Sequence, residues 1–249
     1  MTTASYIEDP LLVTAAGQRP GKEPAVVPAS EGYDRWASGY DSTPNPILAL
    51  EQRAILPLLP PLNDKWVIDL ACGTGRWFEY LAANGAAGIF GVDFSAKMLS
   101  VAVDKCHTPT TLIRADVCRL PFSKNYFDFA ICSFTVGHIA SLDQFARECR
   151  RVLNADALLF VTDLHPEAYS RGWRTGFRDQ GGAVEVATVT RSPREFLEAF
   201  HRAGFELMRI DEVYFGWPER PIFLRAGKGR AYRDACRLPA LLSCCFRVH

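Results

Sequence analysis

The chain of 249 residues has no excess of charge of either sign, since 28 lysines and arginines stand against 28 aspartates and glutamates. A chain without net positive charge lacks the overall field that attracts nucleic acid or an anionic membrane. The sequence therefore predicts a small-molecule partner, and neither nucleic acid nor membrane as a partner.

Long apolar runs are also missing. No segment approaches the roughly 18 apolar residues of a membrane-spanning helix. The amino terminus lacks the basic stretch and apolar run of a secretion signal. Both absences favour a cytoplasmic protein.

The eight cysteines include no C-x-x-C pair. Most lie within apolar segments such as "FAICSF" and "LLSCCFRV", where a free thiol packs like a small hydrophobic side chain. Buried reduced thiols and no metal site are therefore expected, with a thiol site for a soft metalloid as the weaker alternative.

The first 29 residues contain four prolines and little periodicity, which is typical of a flexible leader. Residues 30–62 read as helical, and Tyr33, Trp36 and Tyr40 would share one helical face. A length of 249 residues with 48% apolar composition allows one main domain with a large core.

From Lys65 onward, strands alternate with helices, which predicts a parallel sheet covered on both faces. Ser95 and Ser192 are predicted helix N-caps, with Pro193 in the first turn of the second helix. The predicted parallel strands are "KWVIDL", "GIFGVDF", "TLIRADV", "FDFAICSF" and "ALLFVTDL".

The last third of the chain adds "ELMRIDEVYF" and "LPALLSCCFRV". These two strands, joined by a nonhelical excursion, predict an antiparallel pair at a sheet edge. The expected fold is a Rossmann-like, doubly wound α/β sheet of seven mostly parallel strands with an antiparallel C-terminal edge strand.

Acids and glycines follow the first three predicted strands, where ligands of an open parallel sheet bind. Glycines in the first loop let a ligand approach the backbone. An acid about 20 residues further on is placed to accept hydrogen bonds from ribose hydroxyls. The residues at these strand ends are Asp69, Gly73, Gly75, Asp93 and Asp116.

A nicotinamide dinucleotide uses similar parts, but its G-x-G-x-x-G fingerprint requires a third glycine where this chain has Phe78. Asp69 beside the loop would repel a pyrophosphate, whereas it suits an ammonium or sulfonium charge. The pattern therefore favours an adenosine with a cationic tail and disfavours an NAD-dependent oxidoreductase.

Ordered segments of the chain resemble the successive motifs of class I S-adenosylmethionine-dependent methyltransferases of the small-molecule branch. The resemblance implies that S-adenosylmethionine is the cofactor and that residues 30–249 form the catalytic domain. Residues 30–62 would be its cap helices and residues 166–190 a substrate-side insertion. The segments that carry the resemblance are "VIDLACGTGRW", "GVDFSAKML", "RADVCRLPFSKNYFDFAICSFTVGHI" and "RVLNADALLFVTDLHP".

The resemblance also implies roles for single residues. Asp93 would hold the ribose hydroxyls, Asp116 with the Val117 backbone would meet the adenine amino group, and Ser133 would stand near the methyl group. The residues expected around the cofactor are Tyr33, Asp69, Ala71, Gly73, Gly75, Asp93, Phe94, Asp116, Val117 and Ser133.

Candidates for catalysis lie near the end of the fifth strand, where His165 comes two residues after Asp163 and is expected to face the substrate mouth as an imidazole for acid–base chemistry. Tyr40 on the cap completes the candidate catalytic set. Arginine forks match carboxylates, so an acidic or aromatic acceptor is expected, with oxygen favoured over nitrogen as the methylated atom. The acceptor-binding candidates are His138, Arg171, Trp173 and Arg174.

Two other functions remain open on the sequence. A noncatalytic protein that binds S-adenosylmethionine for regulation would keep the same pocket. Nucleic-acid methylation is less favoured, because the position after the fourth strand reads "SFTV" where amino-group methylases of DNA carry an Asn/Asp-Pro-Pro-aromatic tetrapeptide. Either a monomer or a homodimer fits the sequence.

Overall fold

The computed structural model describes residues 12–13, 24–42, 44–106 and 109–249. In these ranges the strands are β1 (Leu12–Val13), β2 (Ala25–Val27), β3 (Trp66–Leu70), β4 (Gly88–Asp93), β5 (Thr110–Arg114), β6 (Phe127–Ser133), β7 (Leu153–Leu164), β8 (Trp173–Arg174), β9 (Gly176–Asp179), β10 (Gly182–Val186), β11 (Phe205–Val213) and β12 (Leu241–Val248). The α-helices are α1 (Ala29–Trp36), α2 (Pro46–Ile55), α3 (Phe78–Ala83), α4 (Ala96–Ala102), α5 (Leu142–Val152), α6 (Pro166–Ser170), α7 (Pro193–Arg202), α8 (Arg220–Arg225) and α9 (Gly229–Ala235).

One seven-stranded sheet organises the domain, in the order β11-β12-β7-β6-β3-β4-β5. The pairs among β3 to β7 are parallel, whereas β12 runs antiparallel to both β7 and β11. The expected fold class is confirmed. The antiparallel C-terminal strand lies one place inside the edge, and β11 is the edge strand.

The two faces of the sheet are covered by helices, as continuous apolar strands require. Val67 and Ile68 of β3 are both fully buried, although they point to opposite faces. Phe145 of α5 and Phe200 of α7 pack in the cluster on one face, and Phe78 of α3 in the cluster on the other. Burial on both sides thus holds the central strands in place.

Both predicted N-caps are confirmed. The Ser95 hydroxyl accepts a hydrogen bond from the Met98 backbone N–H at 3.0 Å and begins α4. Ser192 and Glu195 form a reciprocal capping box at the start of α7, in which each side chain satisfies a backbone N–H of the first turn.

Part of the predicted leader takes part in the fold. Ala25–Val27 pairs in parallel with Val184–Val186, and the resulting sheet of β2, β10 and β9 lies against α1. Leu12–Val13 pairs with Trp173–Arg174. The rest of residues 1–23 lies outside the described residues. The sequence missed β2 because three residues between prolines show no periodicity, and their partner is distant in the chain.

Residues 214–240, here called the excursion, connect β11 to β12. The expectation that they are nonhelical is wrong, because α8 and α9 lie within them. Phe223 and Ala235 are the buried residues of these short helices, and Gly227 between them adopts the left-handed conformation with φ of +69°. The sequence did not predict these helices because they are only six and seven residues long and a short basic segment of the excursion contains two glycines. No helix in the described ranges has the length and apolar character needed to cross a bilayer.

Candidate active site

A cavity of about 480 Å³ opens at the carboxyl ends of the parallel strands, beneath α1. Its volume lies in the range of small-molecule sites. The loops after β3, β4, β5 and β6 supply the floor, and the cap supplies Tyr33 and Tyr40. The predicted cofactor residues in its wall are Tyr33, Ala71, Gly73, Asp93, Phe94, Asp116, Val117 and Ser133.

The loop after β3 leaves the backbone open to the cavity. Ala71, Gly73 and Gly75 all have positive φ. A Cβ added to Gly73 would meet nothing within 4 Å, whereas one on Gly75 would lie 2.5 Å from the ring of Phe78. Phe78 therefore fills the room beside Gly75, and Gly73 is the position at which a ligand can approach the chain.

Asp93 fastens this loop from the end of β4. Its Oδ2 accepts a hydrogen bond from the Gly73 N–H at 2.8 Å, and its Oδ1 accepts one from the Ser95 N–H at 2.8 Å. Each carboxylate oxygen keeps a further lone pair for a ligand hydroxyl. Burial raises the pKa of Asp93, while the two backbone N–H groups act in the opposite direction.

The far end of the cavity presents an apolar surface. Phe94 is 54% exposed and lines the cavity. Arg114 lies 5.8 Å from the ring centroid and donates a hydrogen bond to the Phe94 carbonyl at 3.0 Å. Asp116 accepts a hydrogen bond from the Cys118 N–H at 2.8 Å, which closes the turn after β5. A planar ring fits this wall, with polar groups at its edge.

Asp69 lies behind the cavity wall and does not line it. It is buried, and Oδ2 has no hydrogen-bond partner within the described part of the chain. Burial raises the Asp69 pKa to about 8, with Arg76 lowering it and Glu51 raising it. A cation in the cavity would offset the cost of ionising this carboxyl group.

Glu51 and Arg76 were not predicted as site residues. Glu51 is fully buried on α2, pairs with the Arg76 guanidinium and accepts a hydrogen bond from the Thr162 hydroxyl. The available signal was a charged residue four positions from both Ile47 and Ile55 on an otherwise apolar helical face. Glu51, Arg76 and Asp69 thus form one buried cluster of ionisable groups behind the loop that follows β3.

Tyr33 and His138 form a polar pair in the cavity wall. The two side chains lie 3.0 Å apart from Oη to Nε2, and His138 Nδ1 lies 3.0 Å from the Ala187 carbonyl oxygen. Because that carbonyl can only accept, Nδ1 carries the proton and Nε2 accepts from the Tyr33 hydroxyl. Burial lowers the pKa of His138 and raises that of Tyr33.

Tyr40 and Ser133 also line the cavity. Tyr40 packs edge-on against Trp36 with ring centroids 4.9 Å apart, and burial raises the Tyr40 pKa to about 12. Ser133 accepts a hydrogen bond from Trp77 Nε1 at 2.8 Å. Both predicted residues are therefore at the site, Tyr40 as a neutral phenol.

The remaining catalytic candidates lie outside the cavity. His165 Nδ1 caps α6 by accepting from the Glu167 N–H at 3.1 Å, and Nε2 lies 3.3 Å from Glu212. Asp163 accepts hydrogen bonds from the Gly137 N–H at 2.8 Å and the Leu164 N–H at 2.7 Å. Burial raises the Asp163 pKa to about 6. The expectation that His165 faces the substrate mouth does not match this placement, because the side chain turns back to the start of α6.

The acceptor candidates in the insertion make contacts within the protein instead of lining the cavity. Arg174 donates hydrogen bonds to the carbonyls of Tyr169 and Trp173. Trp173 is buried against Phe215, with centroids 5.9 Å apart, and Arg171 lies 3.6 Å from Glu167 at the surface. Of the four acceptor candidates, only His138 lines the cavity.

Residues 68–161 match the model of a methyltransferase domain. A 2-phytyl-1,4-naphtoquinone methyltransferase of Trichormus variabilis is 31% identical over 148 residues, which cover 53% of this chain and 63% of that protein. A demethylmenaquinone methyltransferase of Thermotoga maritima is 32% identical, over 54% and 60% of the two chains. The chain thus spans less than two thirds of the length of these relatives.

The solved structure of an S-adenosylmethionine-dependent methyltransferase from Mesorhizobium loti superposes with a TM-score of 0.64 at 20% identity, covering 82% of this chain and all of that one. This likeness shows that the chain has the fold of S-adenosylmethionine-dependent methyltransferases. The match of residues 68–161 to the methyltransferase domain model confirms the resemblance read from the sequence motifs.

Proposed function

We propose that this protein transfers a methyl group from S-adenosylmethionine to a hydroxyl of a small aromatic acceptor of the quinol type. The observation that carries the proposal is a single cavity that joins the open Gly73 backbone and Asp93 to the Tyr33–His138 pair. The relatives are named for quinones, which supports an aromatic acceptor of that ring type. The choice of a hydroxyl as the methylated group rests on the Tyr33–His138 pair.

Two features of the protein fit the cofactor. The backbone at Gly73 has room for a ligand, and the buried Asp69 oxygen lacks a partner among the described residues and so suits a nearby positive charge. Asp93 would bind the ribose hydroxyls, Phe94 would cover the adenine ring, and Asp116 would meet its amino group. When bound, S-adenosylmethionine supplies an electrophilic methyl group on a positively charged sulfur.

In this mechanism, Tyr33 and His138 remove the acceptor proton. The acceptor hydroxyl would transfer its proton to the Tyr33 oxygen while Tyr33 transfers its own proton to His138 Nε2. The bound cofactor would supply the methyl group to the acceptor oxygen and leave as a neutral thioether when its carbon–sulfur bond breaks. The imidazolium that results is held by the Ala187 carbonyl. The positive charge lost at the sulfur is replaced by one at His138, so the total charge of the cavity is unchanged.

His138→Gln is expected to lower kcat about 100-fold, since general base catalysis typically contributes at least that factor. Glutamine can still accept a hydrogen bond from Tyr33 but cannot take up the proton, so cofactor affinity should not change. In the unaltered enzyme, kcat should fall at acid pH with a midpoint below 6.5, because burial lowers the His138 pKa from that value. Steady-state kinetics across pH check both expectations.

The matched control is His201→Gln, because His201 is an exposed histidine on α7. It should leave kcat and its pH profile unchanged. Equal losses in the two variants, or a full rate in His138→Gln, would contradict the assignment of His138 as the base.

Cofactor binding is expected to release a proton through Asp69. In the free protein the Asp69 pKa is about 8, so the group is mostly neutral near pH 7, and a bound sulfonium lowers its pKa. Affinity should therefore rise with pH until about pH 8, where the free carboxyl ionises unaided. Calorimetry in two buffers of different ionisation enthalpy measures the proton count, and Asp69→Asn should remove the Asp69 contribution.

The same pKa affects the stability of the free protein. Because the folded pKa exceeds the ordinary value of 3.8, the folded chain binds more protons than the unfolded chain between about pH 4 and pH 8. Stability falls as pH rises through that window, and Asp69→Asn should flatten this part of the profile. A proton count and a stability profile that Asp69→Asn leaves unaltered would refute this account.

The proposed reaction itself is tested with a labelled methyl donor and 1,4-naphthohydroquinones, with and without an isoprenoid side chain. Methylated product and S-adenosylhomocysteine should accumulate in equal amounts. Tight cofactor binding without product from any hydroxyl acceptor would instead favour a noncatalytic, regulatory role. A [4+2]-cyclase structure shares the fold, with a TM-score of 0.65 at 19% identity over 92% of this chain and 99% of its own, so product analysis is the deciding measurement.

A further inference from the structure

Trp217 in the excursion is 76% exposed, the largest exposed fraction among the large hydrophobic residues in the described ranges. It stands on a fixed turn. Glu219 is buried, accepts a hydrogen bond from the Gly216 N–H at 2.8 Å and pairs with Arg53 of α2 at 2.7 Å. The fold therefore keeps this indole exposed to water, although burying it would stabilise the protein.

The helices that follow are packed on one side and exposed on the other. Phe223 of α8 is buried against Phe215, with ring centroids 5.0 Å apart. Leu224 on the same helix is 48% exposed, and Pro221 is exposed too. The excursion thus presents aliphatic as well as aromatic side chains to solvent from a rigid base.

The excursion is also strongly basic, with six basic and two acidic residues between positions 214 and 240. One of the acids, Glu219, is buried in its pair with Arg53. Arg230 and Arg233 are exposed on α9, where a spacing of three residues places them on one side of the helix. Arg237 is exposed in the turn that follows and lies 3.9 Å from Asp234. Because the whole chain has no net charge, this positive surface is local and the rest of the chain is net negative.

Trp217 has an arginine beside it, since the guanidinium carbon of Arg220 lies 5.1 Å from its ring centroid. Exposed tryptophan and leucine together with arginines are the side chains that bind at a lipid–water interface. The indole sits at the level of the headgroups, and the arginines contact anionic lipid phosphates. Bases of a nucleic acid would stack on the indole but offer nothing to Leu224 or Pro221, so the aliphatic exposure favours lipid. We propose that the excursion docks the protein on an anionic lipid surface, with Trp217 and Leu224 inserted among the headgroups.

The position of the excursion determines which edge of the sheet would face the lipid surface. Leu241 pairs with both Val213 and Leu164 at the carboxyl end of β7. The excursion therefore leaves the sheet at the edge where the cofactor cavity opens. Docking would bring that edge to the lipid, and a quinol with an apolar side chain could then enter from the bilayer. Only this last step rests on the proposed function.

The test is cosedimentation of the full chain with vesicles of phosphatidylcholine mixed with phosphatidylglycerol, and with vesicles of phosphatidylcholine alone. The protein should bind the mixed vesicles, more weakly as salt rises, and bind the neutral vesicles poorly. Trp217→Ala should weaken binding about tenfold, since it removes the indole that would insert among the headgroups. Arg230→Ala with Arg233→Ala should weaken it roughly 30-fold, at about fivefold for each arginine.

The charge-matched control is Arg194→Ala with Arg202→Ala, because both arginines are exposed on α7. That pair should bind vesicles as the unaltered protein does. Brominated lipid should quench fluorescence in the unaltered protein and quench it much less in Trp217→Phe, which still binds.

Three results would overturn the docking proposal. The first is equal binding to neutral and anionic vesicles, or none to either. The second is an equal loss in the control pair, or self-association that accounts for the sedimentation. The third is tighter binding to a labelled single-stranded oligonucleotide, lost in the Arg230 and Arg233 variant. Methyl transfer to a water-soluble acceptor is measured separately, so failure of docking and failure of the proposed reaction are distinguishable.

Discussion

Asp93→Ala should weaken the affinity for S-adenosylmethionine about 1000-fold. A hydrogen bond to a charged group contributes roughly 2 kcal/mol, and a ribose diol would make two of them with this carboxylate. The variant also frees the Gly73 N–H, which Asp93 now holds at 2.8 Å, so the loop loses its anchor. Isothermal calorimetry with the cofactor and with S-adenosylhomocysteine gives the dissociation constants.

Two comparisons make the Asp93 result specific. Asp104→Ala removes an exposed acid just after α4 and should leave affinity unaltered. Asp93→Asn keeps an acceptor of similar shape, so it should retain more affinity than the alanine variant. Cofactor binding by a folded Asp93→Ala protein at the original strength would remove the basis for placing the adenosine in this cavity.

Arg76→Leu should lower the free energy of unfolding by about 3 to 5 kcal/mol, the usual effect of removing one partner from a buried ion pair. Glu51 is fully buried and Arg76 is its cationic partner. Without the guanidinium, the buried Glu51 carboxylate would lack its cationic partner. Chemical denaturation followed by circular dichroism measures the loss.

The double variant Glu51→Gln with Arg76→Leu should recover most of this stability. Glutamine keeps an acceptor for the Thr162 hydroxyl but carries no charge, so the cost of an unpaired buried carboxylate disappears. The surface pair Arg194–Glu198 is the control, because Arg194→Leu breaks an exposed ion pair of the kind that contributes little. Equal effects at the two sites would mean that the Glu51 pair is not buried as the structure has it.

The cofactor half of the site could be predicted from the sequence because its residues are tied to local pattern. Gly73, Asp93 and Asp116 each follow a recognisable apolar strand, and parallel strands place their carboxyl ends along one edge of the sheet. Phe78 was read only as a departure from a glycine pattern. The structure adds its physical role, since its ring occupies the space beside Gly75.

The acceptor half could not be predicted in the same way. His165 and Arg174 follow the right strand, but the direction of each side chain depends on which backbone groups near it need a partner. His165 caps a helix and Arg174 binds two carbonyls, so both are turned away from the cavity. A residue's place at a strand end does not determine where its side chain points.

The sequence by itself determined the sheet, the loop glycines and the acid after the second strand of the parallel sheet, because strand periodicity and turn chemistry act over a few neighbouring residues. Only the tertiary structure decided that His138 meets Tyr33 and the Ala187 carbonyl, since these two partners are 105 and 49 residues away. The same holds for the buried Glu51–Arg76 pair and for the basic, aromatic surface of the excursion. Contacts between distant segments arise only when the chain folds, and folding also decides which side chains stay exposed. A net charge of zero for the whole chain therefore does not show that one segment carries a local basic surface.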